Sequence, residues 1–189
     1  MLVSNIVGAS GAGGVGRGSN SLNIHYYEQQ GPYNCGPASI QMVLQEVQGE
    51  HVSQSRLKDE IRFIEGAGAR NIYLVEPFLS RDLDARVEFF SDLEHLKEYV
   101  DSGRVSIINI RFDLEKNSGH YAVVVGYNES GFFLHDPWPE EWGAPAGRHS
   151  GANVFVSDEL LVQLWGFRFF WVLSVGGEAV EAEIGEDRL

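Results

Sequence analysis

The only cysteine of the chain, Cys35, stands where a proline- and glycine-rich loop runs directly into an apolar helical pattern. The segment reads Gly31-Pro32-Tyr33-Asn34-Cys35-Gly36-Pro37-Ala38-Ser39-Ile40-Gln41-Met42-Val43-Leu44. A sulfur at a helix N-terminus faces unpaired backbone N–H groups and the positive end of the helix dipole, which favour the thiolate over the thiol. A lone cysteine is more often a small buried apolar residue, but a core cysteine has no reason to follow a Gly-Pro-Tyr-Asn loop at the start of a helix. The sequence therefore predicts that Cys35 is a nucleophile.

Gln29 lies upstream of Cys35 in the same loop. Its side chain is long enough to fold back over the loop and to present an amide N–H beside the sulfur. An N–H group in that position would stabilise the oxyanion that forms when a thiolate attacks a carbonyl group. Gln30 is the neighbouring alternative for this role.

Two apolar runs, rich in β-branched and aromatic residues, flank residues 128–131 and predict a β-hairpin. His120 opens the first run and Asp136 ends the second. If Tyr127 pairs with Gly131 across a three-residue loop, Asp136 pairs with Ala122, on the same face as His120. Side chains at such diagonal positions, roughly 7–8 Å apart at Cα, are within reach of each other. The predicted contact depends on the register, because a slip of one residue would put the two side chains on opposite faces.

Other residues near the hairpin receive structural interpretations. His135 is a weak alternative to His120 as the base, because it points to the opposite strand face from Asp136. Trp138 and Trp142 are expected to pack over the end of the hairpin, with lining of a substrate cleft as the alternative. The remaining histidines have no local partner pattern and are predicted to be structural or solvated: His25, His51, His95 and His149.

Composition excludes several classes of protein. A chain of 189 residues with 43% hydrophobic content predicts one domain with a single core. One cysteine excludes an internal disulfide and a thiolate-rich zinc site. The net charge of −13 argues against nucleic acid and anionic membrane surfaces as partners. No transmembrane segment or signal peptide is recognisable, so the expected location is the cytoplasm, with export by a signal-independent route left open. The sequence predicts no oligomeric state.

The local patterns predict three regions. Residues 1–21 form a flexible Gly/Ser-rich arm, residues 22–177 the catalytic domain, and residues 178–189 an acidic tail. Within the domain, helices are expected from Cys35 to about Val47, over 54–64, from a capping box at Ser91–Glu94 to just before Gly103, and from a Ser157 cap to about Trp165. Strands are expected at 72–75, at 105–110, in the hairpin and at 169–175, with a loop over 138–153.

These motifs resemble the papain-like cysteine peptidases, and more closely the bacterial C39 and C39-like peptidases. The resemblance covers roughly residues 24 to 176. It rests on Gln29, on Asn34-Cys35-Gly36-Pro37-Ala38-Ser39, on Gly119-His120-Tyr121-Ala122-Val123-Val124-Val125-Gly126-Tyr127, and on Leu134-His135-Asp136-Pro137-Trp138. Weaker matches are Gly49-Glu50-His51-Val52-Ser53 and the segment from Leu96 to Arg104.

The resemblance implies an α+β, papain-like fold in which a helical N-terminal half carries Cys35 and an antiparallel sheet carries His120 and Asp136. It implies Cys35 as nucleophile, His120 as general base and acid, Asp136 as the group that orients His120, and Gln29 in the oxyanion hole. The expected activity is cleavage of a peptide or protein substrate through a thioester, after a small residue and without a metal or organic cofactor. Transpeptidation or protein modification by the same triad, and a catalytically silent peptide-binding module, remain alternatives.

Overall fold

The computed structural model describes residues 20–143 and 148–178. The helices are α1 (Cys35–Gln48), α2 (Gln54–Glu60), α3 (Glu76–Leu79), α4 (Leu93–Asp101) and α5 (Asp158–Trp165). The strands are β1 (Asn20–Ser21), β2 (Leu83–Glu88), β3 (Val105–Asp113), β4 (Lys116–Asn128), β5 (Gly131–Asp136), β6 (Gly151–Ser157) and β7 (Val172–Glu178). Short 3₁₀ turns lie at Asn71–Tyr73, Glu140–Trp142 and Gly166–Arg168.

The strands form one antiparallel sheet in the order β2-β7-β3-β4-β5-β6, and β1 pairs with β4. Asn20 and Ser21, at the end of the predicted arm, therefore belong to the sheet, opposite Tyr127 and Gly126. A Cβ at Gly126 would lie 2.6 Å from the Asn20 carbonyl oxygen, so β1 can approach only because this residue is glycine. The rest of the arm and the tail after Glu178 lie outside the described residues, and the three-region division stays a prediction.

The sheet has helices on both faces, and the long strand β4 contributes to both layers. Tyr121, Val123 and Val125 belong to a core that also contains residues of α1, α2 and α3. Ala122 and Val124 belong to a second core that contains residues of α4 and α5. Because successive side chains of a strand point to opposite faces, burial on both sides makes β4 read as a continuous apolar run. The α+β prediction is confirmed, although α4 and α5 cover the face opposite α1.

Helix boundaries with strong local signals agree with the sequence. Helix α1 begins at Cys35 and ends at Gln48, and the next residue, Gly49, adopts the left-handed conformation of a C-cap (φ 67°). Ser157 caps α5 by accepting a hydrogen bond from the Leu160 N–H (3.3 Å). The N-cap of α4 is Asp92 rather than Ser91, and α2 ends at Glu60, before the predicted limit.

Two segments differ from the predictions. The expected strand over 72–75 is wrong, because Asn71–Tyr73 form a 3₁₀ turn and the next two residues continue as a turn, which buries Leu74 in the core and leaves Ile72 62% exposed. The predicted loop over 138–153 includes the first residues of β6. Strand β2 was not predicted, since Leu83 alone among its residues is fully buried; pairing with β7 defines this edge strand.

The hairpin reaches the predicted register by a different route. The connection has two residues, because Asn128 pairs with Gly131, and the Asn128 side chain accepts a hydrogen bond from the Ser130 N–H (2.9 Å). A bulge between Val124 and Gly126 then shifts the pairing by one residue, so that Val123 faces His135. Continuing this register puts Asp136 opposite Ala122. The predicted three-residue loop was wrong. The bulge adds the residue that the shorter loop lacks, so the pairing of Asp136 is the predicted one.

Candidate active site

Cys35 and His120 line the same cleft, which has a volume of about 290 Å³. Cys35 is the first residue of α1, and His120 lies in β4. The small residues Ala67, Gly68 and Ala69 form part of the lining, together with the aromatic rings of Phe112 and Trp138. Residues from three separate parts of the chain therefore meet around one sulfur atom and one imidazole.

The N-terminus of α1 favours negative charge at the sulfur. The Asn34 side chain does not cap this helix; its amide donates to Gln54 Oε1 (3.4 Å). The first turn of the described helix contains no acidic residue. The backbone N–H groups and the helix dipole are therefore directed at the position of Cys35, as expected from the sequence.

His120 and Asp136 are in direct contact. The Nε2 atom of His120 lies 2.6 Å from Oδ1 of Asp136, and both side chains are buried. The imidazole ring also packs edge-on against Phe112, with 5.4 Å between ring centroids, and against Trp138, at 6.4 Å. Trp138 thus lines the cleft, which was the alternative left open by the sequence, and it packs on Trp142 as well (5.0 Å).

The Asp136 carboxylate is completely buried and accepts hydrogen bonds at both oxygens. Oδ1 accepts from His120 and from the Trp138 backbone N–H (3.0 Å), and Oδ2 accepts from Nη1 of Arg148 (2.5 Å). Arg148 is itself buried, with 2% exposure. The carboxylate therefore lies between two cationic partners rather than facing His120 alone.

The charges around this pair determine its protonation. Burial alone would lower the pKa of His120, but the negative charge of Asp136, the hydrogen bond to it and the nearby Cys35 raise that pKa to about 9. Burial would raise the pKa of Asp136, but the charges of His120 and Arg148 outweigh that effect and lower it. The imidazolium and the carboxylate are therefore the stable forms at neutral pH.

Gln29 lies in the loop that leads to Cys35 and is 3% exposed. Its backbone N–H donates to the Pro137 carbonyl oxygen (2.8 Å), which ties this loop to the residue after Asp136. Its side-chain Nε2 donates to the Gly31 carbonyl oxygen (2.7 Å), and its Oε1 is buried without a partner among the described residues. An amide NH2 group has two hydrogens, so the second N–H is the one that an oxyanion-hole role requires.

Two positioning residues were not found by sequence reasoning. Gln54, 1% exposed on α2, donates to the Glu28 carbonyl oxygen (2.7 Å) and accepts from the Gln30 backbone N–H (2.9 Å), so it holds the loop on both sides of Gln29. Arg148 is the other. Gln54 carries no local signal in the sequence, and Arg148 is isolated in a glycine- and proline-rich stretch.

The remaining histidines have the structural or solvated roles expected for them. His135 is buried on the other face of β5; its Nε2 contacts the Ile24 carbonyl oxygen (2.9 Å), and its Nδ1 accepts from the Asn153 N–H (3.1 Å). His25, His51, His95 and His149 are exposed. Within residues 20–143 and 148–178, no cluster of three histidine, cysteine or acidic side chains could hold a metal ion.

Residues 21–150 match the model of the Peptidase C39 like family. The chain belongs to this family. Among curated proteins, none matches the sequence. No helix in the described part of the chain is long and apolar enough to cross a membrane.

Solved structures of C39 peptidases share the fold. A C39-like peptidase from Bacillus anthracis superposes with a TM-score of 0.64 and 18% identity, covering 85% of this chain and 98% of that one. The peptidase domain of Streptococcus ComA, a bifunctional ABC transporter of a quorum-sensing pathway, gives 0.62 and 19%, covering 82% and 100%. A double-glycine-motif protease from an AMS/PCAT transporter, solved with its leader peptide, gives 0.60 and 15%, covering 85% and 94%. The fold is therefore papain-like, as expected.

The C39-like site predicts that Cys35 reacts rapidly with an alkylating agent at neutral pH. A free thiol is only a few per cent thiolate at pH 7, so a thiolate held by imidazolium should react about tenfold faster or more. We expect His120→Ala to abolish this advantage, while His95→Ala, at an exposed histidine, should retain it. The second-order rate constant for alkylation by iodoacetamide is measured between pH 5 and pH 9, at intervals of about half a pH unit. Equal profiles for wild type and His120→Ala would contradict the ion pair.

The raised pKa of His120 also predicts a pH dependence of stability. The folded state binds the proton of His120 more tightly than the unfolded state, in which the pKa of histidine is about 6.5. Protonated His120 therefore stabilises the fold, and this contribution is complete below about pH 6.5. It is lost as the pH rises through the folded value of about 9. We expect the difference in the free energy of unfolding between wild type and His120→Gln to shrink over this interval. Urea unfolding at several pH values measures it, with His95→Gln as the control; a constant difference would contradict the prediction.

Proposed function

We propose that this protein is a cysteine endopeptidase that cleaves peptide bonds with a Cys35-His120-Asp136 triad. The observation that carries the proposal is the buried 2.6 Å contact of His120 with Asp136, in a cleft that also contains the thiol of Cys35 at the start of α1. Asp136 binds Nε2 of the imidazole, so Nδ1 is the nitrogen left to exchange a proton with the sulfur. This is the orientation that nucleophile and base require.

The reaction proceeds through a thioester. The Cys35 thiolate attacks the peptide carbonyl carbon, and the Cys35 backbone N–H together with the Gln29 amide stabilises the oxyanion. The C–N bond breaks as His120 transfers its proton to the leaving amine. Neutral His120 then takes a proton from water, which attacks the thioester carbonyl, and the thiolate leaves as the carboxylic acid forms. Asp136 keeps the imidazole in the required tautomer throughout.

The close approach of two loop backbones at the cleft supports cleavage after a small residue. The small residues Ala67, Gly68 and Ala69 allow this approach. Gly68 has a φ of +84°, and a Cβ there would lie 3.2 Å from the Tyr33 carbonyl oxygen, just before Cys35 in the chain. Because these two loops approach so closely, we propose that Gly, Ala or Ser precedes the cleaved bond.

A peptide library analysed by mass spectrometry tests the substrate preference. We expect new C-termini at Gly, Ala and Ser in reactions with wild type and none with Cys35→Ala. A preference for large or charged residues at that position would overturn the proposed specificity. Cleavage that persists in Cys35→Ala would overturn the assignment of the nucleophile.

Acid quenching during turnover tests the thioester. The intact mass of the protein should increase by the mass of the acyl half of the cleaved peptide, and this adduct should be absent from Cys35→Ala. Adding an amine nucleophile separates hydrolysis from transpeptidation, because only a transpeptidase passes most of the acyl group to the amine. Peptide binding without an adduct or product would favour a silent binding module instead.

A further inference from the structure

A second cavity of about 310 Å³ lies directly beside the catalytic cleft. The two share Ala67, Ala69, Gly119 and Tyr121 as lining residues, so an extended peptide in the cleft can place a side chain or chain end into this cavity. The remaining lining residues are polar or charged: Arg70, Asn71, Asn109 and Arg168. None of the lining residues is acidic.

The arginines around this cavity have no carboxylate partner. Arg70, Arg111 and Arg168 are the arginines of residues 20–143 and 148–178 that make no ion pair, whereas every other described arginine has one. This is unexpected in a chain with a net charge of −13, where acidic side chains are abundant. Of these three, Arg70 and Arg168 line the cavity, so positive charge without a carboxylate partner lies beside the cleft.

Arg168 is held with one edge of its guanidinium group close to Gly119, the residue before His120. Its Nη2 and Nε atoms lie 3.1 and 3.2 Å from the position that a Cβ on Gly119 would occupy, so glycine leaves the space free. The guanidinium stacks on Phe167 (4.3 Å), and Arg111 stacks on the same ring (4.6 Å). Nε of Arg168 is buried and has no hydrogen-bond partner in the described structure.

The other polar side chains of the cavity are held in place by hydrogen bonds to one another. Asn109 donates through Nδ2 to Oδ1 of Asn71 (2.6 Å), and the Tyr121 hydroxyl donates to the same oxygen (2.5 Å). Oδ1 of Asn109 is buried without a partner among the described residues. This oxygen can accept a hydrogen bond from a backbone N–H of a peptide that passes the cavity.

We propose that this cavity is a subsite for a carboxylate group of the peptide substrate, an Asp or Glu side chain or the C-terminal carboxylate. The inference rests on the proposed peptidase function. A guanidinium edge with unused N–H donors matches the geometry of a carboxylate and pairs with it more strongly than with a neutral amide. Arg168 is the principal contact, and Arg70 adds positive charge.

Matched peptides test the subsite. The probes are octapeptides with Gly-Gly at the centre and threonine elsewhere, in which Glu or the isosteric Gln occupies one flanking position at a time, with free or amidated C-termini. We expect wild type to prefer Glu over Gln about tenfold in kcat/KM at one position, as for loss of one charge-assisted pair. Arg168→Gln should abolish the preference, Arg70→Gln should reduce it, and Arg56→Gln, at an exposed arginine on α2, should preserve it. A preference that follows only the free C-terminus identifies the terminal carboxylate.

Binding to Cys35→Ala separates this proposal from the peptidase assignment. Calorimetric titration with the same peptides should show the same Glu preference, and Cys35→Ala/Arg168→Gln should lack it. Selective binding of Glu peptides to Cys35→Ala, with no cleavage of any peptide by wild type, would support the subsite and contradict the peptidase proposal. Equal binding of Glu and Gln peptides to Cys35→Ala, a preference that survives in both arginine variants, or no binding of any Glu peptide at millimolar concentration would overturn the subsite.

Discussion

Replacing Cys35 with alanine is expected to reduce kcat/KM for peptide cleavage by about 10⁴-fold or more, because loss of a triad nucleophile removes covalent catalysis entirely. The fold should persist. Cys35 is half-buried at the start of α1 and makes no disulfide, so the substitution removes one sulfur atom from the wall of an open cleft. The thermal midpoint and the near-ultraviolet circular dichroism spectrum should remain close to those of wild type.

The measurement uses the best peptide from the library, with wild type and Cys35→Ala prepared in parallel. Cys35→Ser is an informative companion, since it keeps a potential nucleophile that His120 is poorly matched to activate. We expect it to lie near Cys35→Ala. Residual activity of Cys35→Ala equal to wild type would move the nucleophile to another residue, whereas loss of activity together with the fold would leave Cys35→Ser as the deciding variant.

Replacing Arg148 with methionine is expected to lower the free energy of unfolding by about 3 kcal/mol or more, the usual consequence of removing one partner from a buried ion pair. Arg148 and Asp136 both have fully buried side chains, and their contact is 2.5 Å. The exposed pair of Arg86 with Asp84 supplies the matched control, because solvent screens it. Arg86→Met should have a much smaller effect. Urea denaturation measures both, and equal effects would contradict a structural role for the buried pair.

A double-mutant cycle separates the two charges. Asp136→Asn preserves an oxygen that accepts from His120, but it directs an amide NH2 at the Arg148 guanidinium, so the single variant should be destabilised. Asp136→Asn/Arg148→Met removes both charges and should recover part of the loss. We also expect this double variant to cleave peptide better than Asp136→Asn alone, because the asparagine is then free to orient the imidazole. Strictly additive effects on stability would contradict the coupling.

The local part of the candidate site could be read from the sequence. The loop before Cys35, the apolar helix after it and the glycine that ends α1 act within a few residues of each other, so their consequences follow from local geometry. The same holds for the strands that carry His120 and Asp136. Their contact was also predicted, but through a three-residue loop that does not exist. The bulge beside Val125 corrected the register, and no local pattern had indicated it.

The partners of these residues were decided by the tertiary structure. Arg148 reaches Asp136 only because β6 pairs with β5, and Gln54 reaches the Gln29 loop only because α2 packs beside it. Gly119, Arg111 and Arg168 come from β4, β3 and the turn after α5, so their common position depends on these three segments being assembled.

The sequence by itself identified the candidates Cys35, His120 and Asp136, since each stands in a local context that favours its proposed role. Only the tertiary structure decided which charges surround them. A buried carboxylate must find compensation wherever packing brings a cation to it, and sequence separation does not limit that choice. This is why the contact of His120 with Asp136 was predictable and why Arg148 and the arginines at the neighbouring cavity were not.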